Sequence, residues 1–212
     1  MLQNRIAASL LAAFVALCAQ RAAAADAAPV EAIWKHQEFS FHFQSFTTFY
    51  SCSGLEMKLE RILKALGVKD GNVRVRSPEC PTSVARLPRV TVEGRSPVEA
   101  TPEALAERDK DKSTRELAAR VQGKRDALDE VTQQFPATWK QVSLSRGSLG
   151  LEPGDCELIE ELKRKVLPRL SVRLVDDDVS CTPNTLSLGQ PKLEVEALVA
   201  APKPDEKVKD KP

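Results

Sequence analysis

The chain has 212 residues, enough for one or two domains, and carries 31 basic against 30 acidic side chains with only two histidines. A chain so balanced has no electrostatic footprint for nucleic acid, and none for an anionic membrane surface. Spacing also argues against the usual cysteine chemistries, because none of the five cysteines has a close C-x-x-C neighbour for zinc or thiol redox work.

Met1 to Arg5 is a short basic start, and Ile6 to Leu17 is an apolar run too short to span a bilayer comfortably. Ala22 to Ala25 then place small residues at cleavage positions, so residues 1–25 read as a secretory signal peptide cut before Asp26. Leu17 is too bulky for lipoprotein processing at Cys18. Losing Arg5 and Arg21 takes 31 basic residues to 29 against 30 acidic, a net charge of −1. Losing Cys18 leaves four cysteines, Cys52, Cys80, Cys156 and Cys181, an even number that in an exported chain points to disulfides. No later segment is apolar enough for stable membrane insertion. The expected location is periplasmic or secreted.

Asp26 to Ala32 reads as a flexible small-residue leader. Phe39, Phe41 and Phe43 alternate with Ser40, His42 and Gln44, the pattern of a strand with one aromatic face. Phe46, Phe49 and Tyr50 extend the aromatic density without alternation, which predicts a bend or a second short strand. After Cys52 and Ser53-Gly54, the residues Leu55, Leu59, Ile62, Leu63 and Leu66 recur at helical spacing, and Gly67 stops the helix. Asp70-Gly71 marks a turn. Val73 and Val75 form a short strand ending at Cys80, Pro81 to Leu87 a loop, and Val90 and Val92 a last strand. This is a β-α-β-β module over residues 31–98.

Residues 99–135 are rich in charge and alanine and read as a helical connector. Thr101-Pro102-Glu103 is a helix start, and Ser113 to Glu116 has capping-box spacing for a second helix, with Leu117, Val121, Leu128 and Val131 as its thin apolar stripe and Gly123 as a kink.

The same order of parts then returns over 136–200. Trp139-Lys140 answers Trp34-Lys35, Val142 and Leu144 answer Phe39 and Phe41, and Cys156 answers Cys52. In the helix Ile159, Val166, Leu167 and Leu170 answer Leu55, Ile62, Leu63 and Leu66, with Pro168 ending it early. Val172 and Leu174 answer Val73 and Val75, and Leu193 and Val195 answer Val90 and Val92. Residues 201–212 read as a disordered Pro- and Lys-rich tail. The fold class is therefore α+β: two tandem β-α-β-β modules with one disulfide each. A module of this size has a small core. Closing a loop between helix start and strand end stabilises it by roughly 3–4 kcal/mol. That predicts the pairings Cys52–Cys80 and Cys156–Cys181.

The remaining chemistry reads quietly. His36 and His42 lie on one strand face, ~20 Å apart at strand rise, too far to share an ion, so no metal or other cofactor is expected. Asp176-Asp177-Asp178 lacks the alternating ligands of a calcium loop and reads as a solvated turn. Glu157, Glu160 and Glu161 suit the positive start of a helix. Arg74 and Arg76 read as the wet side of a sheet. No G-x-S-x-G elbow supports a nucleophile. The aromatic stretch carries the functional signal. The second copy reads VSLSRGSLGLEPGDC at that position, with no aromatic residue. Equivalent cores would not differ so much, so Phe46, Phe49 and Tyr50 form a candidate partner surface.

The runs FQSFTTFYSCSGLE and SRGSLGLEPGDCELIEEL resemble a family of exported proteobacterial proteins with paired-cysteine modules. The resemblance spans most of the mature chain. It implies export and the modules, and carries no activity or catalytic residue. The expected function is a non-enzymatic periplasmic protein that binds a protein partner or ligand in the cell envelope, with envelope maintenance as its setting. The alternatives are an envelope hydrolase with a site in the cleft between modules, and a metal carrier.

Overall fold

The computed structural model describes residues 28–80, 84–110, 133–185 and 191–202. The expected signal peptide, the expected second connector helix and the tail from residue 203 lie outside the described residues.

Strand β1 (Val30–His42) leads through a loop to β2 (Tyr50–Ser51) and helix α1 (Cys52–Ala65). Strands β3 (Lys69–Arg76), β4 (Val84–Ala85) and β5 (Arg89–Glu99) follow, then a helix α2 at 102–110. The second half holds β6 (Phe135–Ser143), a 3-10 turn at Pro153–Asp155, α3 (Cys156–Lys165), a second 3-10 turn at Leu167–Arg169, β7 (Val172–Asp178) and β8 (Lys192–Ala200). The molecule is α+β. Six strands form one antiparallel sheet in the order β3-β5-β1-β6-β8-β7, while β2 and β4 pair separately.

Helix α1 forms for the reasons its sequence suggests. Ser51 caps it by accepting from the Gly54 amide at 3.1 Å, and Leu55, Leu59, Ile62 and Leu63 make its buried face. At its end Gly67 adopts φ +85°, and the amides of Gly67 and Val68 return to Lys64 and Leu63. A β-carbon on Gly67 would stand 2.5 Å from the Leu198 carbonyl of β8. Gly67→Ala is therefore expected to lower the unfolding free energy by about 1–3 kcal/mol. A urea titration with an unchanged midpoint would contradict this packing.

The two halves share one core. Phe39, Phe43, Leu59 and Ile62 belong to the same buried cluster as Val142, Leu144, Ile159 and Leu162. Burying each such side chain stabilises the fold by roughly 2 kcal/mol. Both disulfides form as expected, Cys52–Cys80 and Cys156–Cys181, with Cα separations of 6.0 and 5.8 Å. Each ties a helix start to the segment after the following edge strand.

Three expectations need correction. The supposed leader is structured from Val30, because Ala32 pairs with Phe135 where β1 crosses β6, and its small side chain lets the two strands meet over Ala137 and Leu198. Within the supposed loop 81–87, Val84 and Ala85 pair with β2. Asp176, Asp177 and Asp178 lie in an edge strand, not a turn; Lys192 holds Asp176 at 2.8 Å and Lys163 holds Asp177 at 2.5 Å. In β7 Leu174 pairs with Val195, and a bulge follows before Asp176.

The edges are treated differently. Glu56 and Glu60 of α1 reach over β3 and accept from the Val75 and Val73 amides at 2.7 and 3.4 Å. That occupies groups an edge strand would otherwise offer to another chain.

Candidate binding surface

The loop between β1 and β2 is held by a carboxylate 112 positions away in the chain. Glu157, in the first turn of α3, is buried and accepts from the Ser45 hydroxyl, from the Phe46 amide at 2.8 Å, and from the Thr47 amide and hydroxyl at 3.0 and 3.1 Å. Ser45 in turn accepts from the Thr48 amide at 3.1 Å. Burial pushes the Glu157 carboxyl up, but the bonds from Ser45, Thr47 and Phe46 outweigh it and hold the group below its ordinary 4.5.

A second carboxylate fixes the end of the loop. Asp155 is 1% exposed and accepts from the Tyr50 hydroxyl, from Lys58 at 2.6 Å and from the Glu152 amide at 2.6 Å. Burial, with the Asp155 hydrogen bond and charge added, pushes the Tyr50 phenol far above its ordinary 10, so it stays a donor. Its ring meets Phe43 edge-on at 5.7 Å. Tyr50 is thus the inward anchor of the loop.

Phe46 and Phe49 point the other way, 49% and 41% exposed. Val84 and Leu87, 46% and 55% exposed, lie on the neighbouring segment, which is tied in by the β2–β4 pairing and by the Phe43 amide donating to the Pro88 carbonyl at 3.0 Å. Arg86 stands 6.0 Å over the Phe49 ring. An apolar group on a loop fixed this firmly is unusual for a merely solvated surface. The loop between β6 and the first 3-10 turn folds inward. Gly147, Leu149 and Gly150 take positive φ, Leu151 is buried, and Arg61 of α1 donates to the Leu149 carbonyl at 3.3 Å.

A cavity of about 810 Å³ opens elsewhere, between β1, β5, α2 and the segment leading into β7. Trp34 and Trp139 both line it. Arg173 lies 3.6 Å from the Trp139 ring centre and donates to Glu99 at 3.2 Å, while Lys35 pairs with Glu107 at 2.9 Å. Both histidines are exposed on β1. Among the described residues, no three His, Cys, Asp or Glu side chains are grouped to hold a metal ion.

Sequence reasoning singled out Phe46, Phe49 and Tyr50 but missed Glu157 and Asp155, which bind the loop from the other half. Glu157 was expected to suit the positive start of a helix. It does lie in that first turn, but buried beside Leu158 and Ile159, and only the hydroxyl-rich run Ser45, Thr47, Thr48 hints at donors needing an acceptor. Glu161 is also buried, paired with Arg164 and Lys165. The chain matches no protein-family model, no curated protein and no solved structure.

Proposed function

We propose that this chain is an exported, non-enzymatic binding protein of the periplasm or extracellular space, and that Phe46 and Phe49 dock its partner in the cell envelope. One observation carries the reading: the Glu157 carboxylate fixes the backbone of a loop that nevertheless presents two phenylalanines to solvent. Fixing a loop in advance lowers the ordering cost of association. Two disulfides fit an oxidising compartment, and among the described residues no helix is long and apolar enough to cross a membrane.

In the same reading the chain is a duplicated β-α-β-β module joined by the connector. The pairing registers support it. Phe39 faces Val92 as Val142 faces Val195, each residue displaced by 103 positions, and Ala32 faces Phe135 at that same separation. An antiparallel pair that joins equivalent residues is what a two-fold axis between copies produces. The alternative, an envelope hydrolase, has the Trp34–Trp139 cleft as its place, but there Glu99 and Glu107 are already engaged by Arg173 and Lys35.

Substituting Phe46→Ser and Phe49→Ser together tests the surface. The expected result is a thermal midpoint within a few degrees of the parent, because both side chains are half in water, with loss of partner binding in pull-downs from the envelope fraction. A collapse of the fold would assign these rings to the core and end the reading.

A further inference from the structure

The strands beside this loop carry an arrangement that stability does not explain. Arg76 of β3 stands opposite Arg89 of β5, and Arg89 stands opposite His42 of β1, so three basic residues form one row on the outer face. Like charges directly opposite one another destabilise a sheet. One row further along, Arg74 is relieved by Glu93 at 3.0 Å. Among the described residues Arg76 has no carboxylate partner, and Arg89 reaches only the Ser40 hydroxyl at 3.0 Å. The row runs directly into the exposed segment, since Arg89 follows Leu87 and Pro88, and Arg86 covers Phe49. Arg86 over Phe49, and Arg89 two positions after the exposed Leu87, join cationic and apolar groups along this segment.

We propose that this end of the protein docks peripherally on an anionic phospholipid surface, with Arg76, Arg86 and Arg89 meeting headgroup phosphates while Phe46, Phe49 and Leu87 enter the interfacial layer. The inference rests on the reading of Phe46 and Phe49 as a binding surface, and it names the partner's chemistry. Charge complementarity favours the occupant: guanidinium groups pair with phosphate oxygens, and aromatic and aliphatic side chains suit the boundary between headgroups and acyl chains. A peptide ligand would be better served by a groove. Two large cavities among the described residues lie elsewhere, around Trp34 and Trp139 and beside the C-terminal end of α1. The net charge of the chain conceals this patch because the acidic residues are spread over the molecule, Glu38 and Glu93 two rows along the same sheet face and Asp176 to Asp178 on β7 among them.

The test is flotation of the oxidised mature protein with vesicles of phosphatidylglycerol and phosphatidylethanolamine, set against vesicles of phosphatidylcholine. Binding is expected on the anionic vesicles alone and should weaken as salt is raised. Arg76→Gln and Arg89→Gln should each reduce partitioning about fivefold. Phe46→Ser with Phe49→Ser should reduce it roughly tenfold or more. All four positions are partly or wholly exposed, and a thermal melt of each variant verifies folding. Equal binding to both vesicle types, no flotation, or arginine variants that partition like the parent would overturn the proposal. If vesicles fail while a photo-crosslinker at position 46 captures an envelope protein, the lipid inference falls and the binding surface stands. If the unbound protein instead self-associates through Asp176 to Asp178, a second copy is the occupant and the lipid inference is again wrong.

Discussion

Asp155→Ala lowers the unfolding free energy by about 3 kcal/mol, because it removes one partner of an ion pair shielded from water. Lys58 is 13% exposed, and its remaining carboxylate, Glu152, lies farther away at 3.6 Å on an exposed side chain. The Tyr50 hydroxyl and the Glu152 amide lose their acceptor in the same step. Adding Lys58→Met to the Asp155→Ala protein should recover part of the loss, since a buried cation without a partner costs more than an apolar replacement of similar length. Chemical denaturation of both variants measures this. A single variant within about 1 kcal/mol of the parent would mean that water reaches Asp155 freely.

Glu157→Ala is expected to cost about 2–4 kcal/mol and to loosen the loop that carries Phe46 and Phe49. The amides of Phe46 and Thr47 and the hydroxyl of Ser45 would be left without the acceptor they share. This carboxylate also gives a pH signature. Its folded-state pKa lies below the ordinary 4.5, so its stabilisation is complete above that pH and is lost as pH falls through the folded value. The stability gap between the parent and Glu157→Gln should therefore be constant near neutrality and narrow below about pH 4.5. A gap that persists unchanged into strong acid would mean that the hydrogen bonds do not depend on the carboxylate charge.

Much of the fold is legible from local pattern. The spacing of Leu55, Leu59, Ile62 and Leu63 predicts α1, the alternation of Phe39 and Phe41 predicts β1, and the position of the cysteines at helix starts and strand ends predicts both disulfides. What escapes is whatever joins distant segments. Nothing local announces that Ala32 belongs to the crossing of β1 with β6, because small residues before a strand look the same in a leader and in a tight contact. The three aspartates of β7 read as a turn because their lysine partners, Lys163 and Lys192, are contributed by other elements.

The candidate site divides along the same line. Phe46 and Phe49 stand out by composition, whereas Glu157 and Asp155 take their meaning from Ser45, Thr47 and Tyr50 more than a hundred positions away. Tyr50 was grouped with the two phenylalanines, yet its hydroxyl turns it inward to Asp155. The basic row of His42, Arg89 and Arg76 is similarly invisible before the strand register is known, since each residue is isolated in its own segment.

The most direct test of the binding surface is site-specific photo-crosslinking in cells that export the protein. The crosslinking residue would be placed at Phe46, at Phe49, and at Met57, which is more exposed than either but lies on α1. Adducts at positions 46 and 49 with none at 57 are the expected result. Adducts of the same kind at all three positions, or at 57 alone, would contradict a docking surface on this loop.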